Sequence, residues 1–164
     1  MIFRNRVQLV VCGALIAASA SAATPKPGET APQFSIKMFD GTKTSLTDYR
    51  GKVLVINYWA TWCGPCKAEM PMMSAFHRKN RDRGFEIVGV VTEDSVPKAQ
   101  LARVVAALSY PLASKLTGRY GTINNSVPTS YVIDRSGHIR FAKAGSFSRE
   151  EFIDVVGPLL DEPG

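Results

Sequence analysis

The chain is poor in cysteine and in histidine, with three of the first and two of the second in 164 residues. A disulfide-stapled scaffold is excluded, because such folds use several bridges far apart in sequence. A zinc site is disfavoured too. It would need ligands beyond two thiolates, and the only histidines, His77 and His138, are remote from each other and from the cysteines. No metal ligand set is therefore assigned. The basic excess is scattered: twenty Lys and Arg against fourteen Asp and Glu give +6 without a basic block, a poor match to nucleic acid. Repeats and low-complexity segments are also missing.

A long apolar run is missing as well. Val7–Ala18 is the most apolar stretch, and it falls short of the roughly 20 residues a membrane span requires. It follows Arg4 and Arg6 and precedes Ala20-Ser21-Ala22, the layout of a secretory signal with a small-residue cleavage site. Residues 1–22 are read as a signal peptide, with an uncleaved membrane anchor as the alternative. The protein is thus expected in the periplasm or another extracytoplasmic space. Cys12 would leave with the signal; Val11 and the short basic region argue against lipid attachment. Removing 22 of 164 residues leaves 142, enough for one domain with a core. Residues 23–31, with Pro25, Pro27 and Gly28, read as an exposed lead-in, and residues 32–164 as the domain.

The domain alternates strand and helix signals. Phe34, Ile36 and Met38 alternate with polar residues before the turn Asp40-Gly41, as one arm of a hairpin does. Val53–Tyr58 and Phe85–Val91 are apolar runs typical of strands buried on both faces. Helices are expected over Pro65–Asn80, kinked at Pro71, over Val96–Leu108, with Leu101, Val104, Val105 and Leu108 on one face, and over Ser114–Tyr120. Thr129–Asp134 and His138–Ala144 form a second hairpin. Ser148 starts the last helix with Glu151 completing a capping box, and Phe152, Val155, Val156 and Leu159 face inward. The order predicts an α/β fold with a mixed sheet flanked by helices. Met70, Met72 and Met73 split between helix faces and read as packing; His77 reads as a surface helix residue.

The two remaining cysteines stand in Trp62-Cys63-Gly64-Pro65-Cys66, at the start of the Pro65–Asn80 helix. A thiol pair at this spacing can close and reopen as a disulfide. The bridge closes too small a loop to add much stability, so chemistry explains the pair better than architecture. Helix N-termini favour thiolates, which makes Cys63 the candidate nucleophile and Cys66 its resolving partner. Glu69 lies three residues beyond Cys66 and can share its helix face; a partly buried carboxyl there could take the Cys66 proton. Gly64 and Pro65 set the turn, and Trp62 offers an aromatic platform. A copper-handling chaperone and a thiol peroxidase remain alternatives for the same two thiols.

The segment Asn57-Tyr58-Trp59-Ala60-Thr61-Trp62-Cys63-Gly64-Pro65-Cys66-Lys67, with Pro71 and the distant Val127-Pro128-Thr129, resembles the thioredoxin superfamily over roughly Pro32–Leu160. Asn57 on the strand and Glu69 on the helix resemble its exported ResA/TlpA-like branch. That resemblance implies a thioredoxin fold with an N-terminal β-hairpin and a central β-α insertion, for which Phe85–Leu108 is long enough. It implies a cis Pro128 packed against the cysteines, and a Val127 backbone that pairs with substrate. It further implies a reductase of protein disulfides, apocytochrome c among them. Such an enzyme is re-reduced by a membrane thiol-electron conduit. Dithiol–disulfide exchange needs no bound cofactor, and with no obvious dimerisation stem before the domain the chain is read as a monomer.

Overall fold

A computed structural model of the chain describes residues 23–92 and 101–163. The expected signal peptide, and the first part of the helix expected over Val96–Leu108, lie outside the described residues. Seven strands form one mixed sheet: β1 Phe34–Met38, β2 Lys43–Ser45, β3 Val53–Trp59, β4 Phe85–Val91, β5 Leu112–Gly118, β6 Thr129–Ile133 and β7 Ile139–Ala144. Their order across the sheet is β2-β1-β5-β4-β3-β6-β7. The α-helices are α1 Gly64–Asn80, α2 Ala102–Ala107 and α3 Arg149–Asp161.

β3 is buried along its whole length, between parallel β4 and antiparallel β6. Alternate side chains point to opposite faces. Val53, Val55 and Trp59 join Met70 and Met73 of α1 and Phe152, Val156 and Leu159 of α3 in one core. Leu54, Ile56 and Tyr58 join Phe34, Ile36, Tyr120 and Tyr131 in the other. Phe152 is fully buried, its ring edge-on to Phe76, Phe85 and Phe147, which fixes α3 on α1 and β4. Each such side chain stabilises the fold by about 1.5–3 kcal/mol through burial.

The hairpin at Asp40-Gly41 forms as expected, with β2 as its second arm, and so does the hairpin of β6 and β7. Pro71 lies inside α1 and deprives the Lys67 carbonyl of its helical donor. Several expectations are corrected. Residues 114–120 are not a helix. β5 occupies most of that stretch because it joins the N-terminal hairpin to the central strands, parallel to β4 and antiparallel to β1. That pairing supplies long-range hydrogen bonds that outweigh the local helical preference of Ser-Lys-Leu-Thr. The sheet is mixed, as expected, with β4 between β3 and β5, and β5 follows α2 and pairs with the hairpin. On α2, Val105 is 38% exposed, while Leu101 just before the helix is buried.

The lead-in is not free. Gly28 and Ala31 donate to the carbonyls of Ile139 and Gly137, Ile139 donates back to Glu29, and Pro25 and Ala31 are buried. Residues 28–31 thereby cover the outer edge of the sheet beside β7, which protects unpaired strand groups. His77 is buried, not on the surface. Its Nδ1 lies 3.0 Å from Ser109 Oγ and its Nε2 3.6 Å from Glu86 Oε2, tying α1 to β4 and to the segment before β5. Only half of the capping box at α3 exists. The Glu151 amide donates to Ser148 Oγ at 3.0 Å, but the Glu151 carboxylate pairs with Lys143 instead.

Candidate active site

Cys63 is the N-cap of α1: its backbone is extended, and its sulfur accepts from the Cys66 amide at 3.2 Å. The Cys66 amide of the first turn thus points at the sulfur, as a thiolate at a helix N-terminus requires. Cys63 and Cys66 are joined in a disulfide, and both are buried. Cys63 Sγ lies 3.6 Å from the carbonyl oxygen of Val127, and the Val127–Pro128 peptide is cis. The loop before β6, 64 residues from Cys63, is therefore brought against the nucleophile position. Pro128 in turn accepts through its carbonyl from the Gly145 amide at 2.8 Å. Gly64 and Pro65 are exposed at the start of α1, and Trp62 beside them is 62% exposed.

Glu69 is only 4% exposed. Its Oε1 accepts from Asn57 Nδ2 at 2.9 Å and its Oε2 from the Phe147 amide at 2.8 Å. Asn57 is held in turn, since its Nδ2 also donates to Ser130 Oγ at 3.0 Å. Asn57 Oδ1 is buried without a hydrogen-bond partner among the described residues. Burial pushes the Glu69 carboxyl above its ordinary value; the Phe147 and Asn57 donors and Lys143 oppose the shift, and Glu151 adds to it. A cleft of about 200 Å³, lined by Pro65, Ala68, Met72, Phe147 and Arg149, reaches Glu69 from outside.

Each residue singled out in the sequence is thus placed. Cys63, Cys66, Glu69, Gly64 and Pro65 follow one another on α1, and Val127 and Pro128 are brought in by the fold. Sequence reasoning missed Phe147, Ser130, Lys143 and Glu151. Phe147 acts through its backbone, which no side-chain pattern reports. Ser130 is found only through register, being the β6 residue opposite Asn57.

A family model described as AhpC/TSA matches residues 27–142. The chain belongs to the AhpC/TSA family. Relatives similar to this chain include the thioredoxin-like protein YneN of Bacillus subtilis (strain 168), 34% identical over 128 residues, covering 76% of this chain and 75% of that protein. The thiol-disulfide oxidoreductase ResA of Geobacillus thermodenitrificans is 32% identical over 130 residues, covering 76% and 72%. Among solved structures, a thiol:disulfide interchange protein of Chlorobium tepidum TLS superposes with a TM-score of 0.65 at 30% identity, covering 84% of this chain and 98% of that one. This AhpC/TSA member is a thiol–disulfide oxidoreductase of the thioredoxin-like fold, with Cys63 and Cys66 as its dithiol pair.

Proposed function

We propose that this oxidoreductase works outside the cytoplasm as a reductase of protein disulfides, with Glu69 handling the proton of Cys66. The observation that carries this reading is the carboxyl of Glu69, buried one helical turn beyond Cys66 on α1 and held by Asn57 and Phe147. In the reduced protein the Cys63 thiolate attacks one sulfur of a substrate disulfide and expels the other as a thiolate. This leaves a mixed disulfide. Cys66 gives its proton to Glu69 and attacks Cys63 Sγ, and the second substrate sulfur leaves. Two electrons pass to the substrate, and the Cys63–Cys66 disulfide remains. Pro128 presents no N–H, so pairing with an extended substrate falls to the backbone of Val127 beside Cys63. Trp62 gives that substrate an aromatic surface.

The haem-attachment cysteines of apocytochrome c are the substrate that the ResA-like resemblance favours, with a membrane thiol-electron conduit restoring the dithiol. The Arg4-to-Ala22 signal supports export, and the chain is read as a monomer without a bound cofactor. The test combines the reduction potential of the full chain with the pH dependence of Cys66 alkylation in wild type and Glu69→Gln. A potential near about −270 mV, as in thioredoxin, supports the reductase, whereas one near about −120 mV marks an oxidant. A Glu69→Gln profile superimposable on wild type removes the proton role of Glu69.

A further inference from the structure

Behind the loop that holds Glu69 lies an ion pair for which the dithiol chemistry has no assigned use. Lys143 Nζ is 2.5 Å and 2.7 Å from the two carboxylate oxygens of Glu151, and both side chains are half-buried. The strand registers place the lysine. Asn57 on β3 faces Ser130 on β6, and Ser130 faces Lys143 on β7. Residues opposite each other share a sheet face, so all three line the face covered by α1 and α3. The ammonium lies 5.6 Å from the centre of the Phe147 ring, and the Phe147 amide is the donor to Glu69 Oε2.

We propose that the Lys143–Glu151 pair is a positioning device for Glu69, setting from β7 and α3 how readily that carboxyl gives and takes its proton. The inference rests on the proton role given to Glu69 above. Its physical basis is balance. The cation favours the carboxylate form of Glu69 and the anion opposes it, so the two partners pull the carboxyl in opposite directions. Among the described residues, few other groups face Glu69. β3 and β6 present neutral Asn57 and Ser130, and α1 presents the cysteines. The segment before β5 presents the Tyr110 phenol, itself pushed up by burial and by Glu69. Arg149 at the start of α3 lines the cleft.

Breaking the pair from either side gives opposite results. Lys143→Met leaves an unpaired anion and raises the protonation midpoint of Glu69. Glu151→Gln leaves an unpaired cation and lowers it. Each shift is expected to be about half a pH unit, or a threefold change in the protonated-to-ionised ratio. The double variant returns towards wild type, because the two opposite shifts sum.

The direct measurement is a carbon-13 carboxyl NMR titration of the full chain in its disulfide form, where the cysteines do not titrate. Glu69→Gln identifies the resonance. Opposite shifts that cancel in the double variant support the proposal. Shifts of the same sign mean that the loop has merely loosened, and they overturn it, as do two unmoved midpoints. If the midpoints move as expected but Cys66 alkylation in the reduced protein ignores Glu69→Gln, the proton role of Glu69 fails, and this inference falls with it. Alkylation that responds to Glu69→Gln while the midpoints stay still overturns the inference alone.

Discussion

Replacing Glu69 by Gln should change the pH dependence of folding in a direction the structure dictates. The carboxyl is buried, and burial lifts its protonation midpoint above the ordinary value of 4.5. Below the unfolded midpoint the group is protonated in both states and carries no ionisation penalty. As pH rises through the folded midpoint the native state holds its proton longer than the unfolded chain. Native stability therefore falls with a slope of at most about 1.4 kcal/mol per pH unit, the value for one proton. Glutamine never ionises and lacks this slope.

Glutamine also has a fixed defect. Both wild-type partners, Asn57 Nδ2 and the Phe147 amide, are donors, and the new NH2 group meets one of them. That conflict costs about 1–3 kcal/mol at every pH. The variant should start less stable than wild type in acid, and the gap should then narrow as pH rises. Urea unfolding of the disulfide form at steps from about pH 4 to about pH 8 measures the gap through the window that linkage defines. A gap that stays constant refutes the reasoning, because Glu69 would then ionise alike in the folded and unfolded chain. A widening gap would mean the opposite sign, a carboxylate stabilised by its donors.

Two further outcomes follow from a side chain that bridges three segments and from one that is exposed. Arg135 donates to the carbonyls of Gly51, Arg83 and Leu160 at 2.8, 2.7 and 3.2 Å; Arg135→Ala should cost about 2–3 kcal/mol in urea unfolding and leave the reduction potential unchanged. Trp62→Ala should alter stability by less than about 0.5 kcal/mol. It should raise KM for a protein disulfide by about two- to fivefold, with no change for a small disulfide, and an equal loss on both would place Trp62 in the chemistry instead.

What the sequence determined alone is what a few neighbouring residues decide. The spacing of Cys63, Cys66 and Glu69 is a property of one helix, and a sulfur at its N-cap needs only the amides of that first turn. The apolar runs of β3 and β4 and the Asp40-Gly41 turn were legible for the same reason, since burial on both faces and a tight reversal leave local signatures. The reading failed where local preference met a distant partner. Ser-Lys-Leu-Thr looked helical until β1 and β4 offered backbone pairing, and Gly28 to Ala31 looked loose until β7 needed its edge covered. His77 looked exposed until Ser109, 32 residues away, met its ring.

The surroundings of Glu69 belong wholly to the tertiary structure. Asn57 and Phe147 reach it from 12 and 78 residues away. Phe147 does so through its amide, and the opposed charges of Lys143 and Glu151 meet only because β7 and α3 pack together. A chain can place a carboxyl beside a thiol by spacing alone. How strongly that carboxyl holds its proton depends on the water excluded and the dipoles and charges gathered around it, and only the folded whole arranges those.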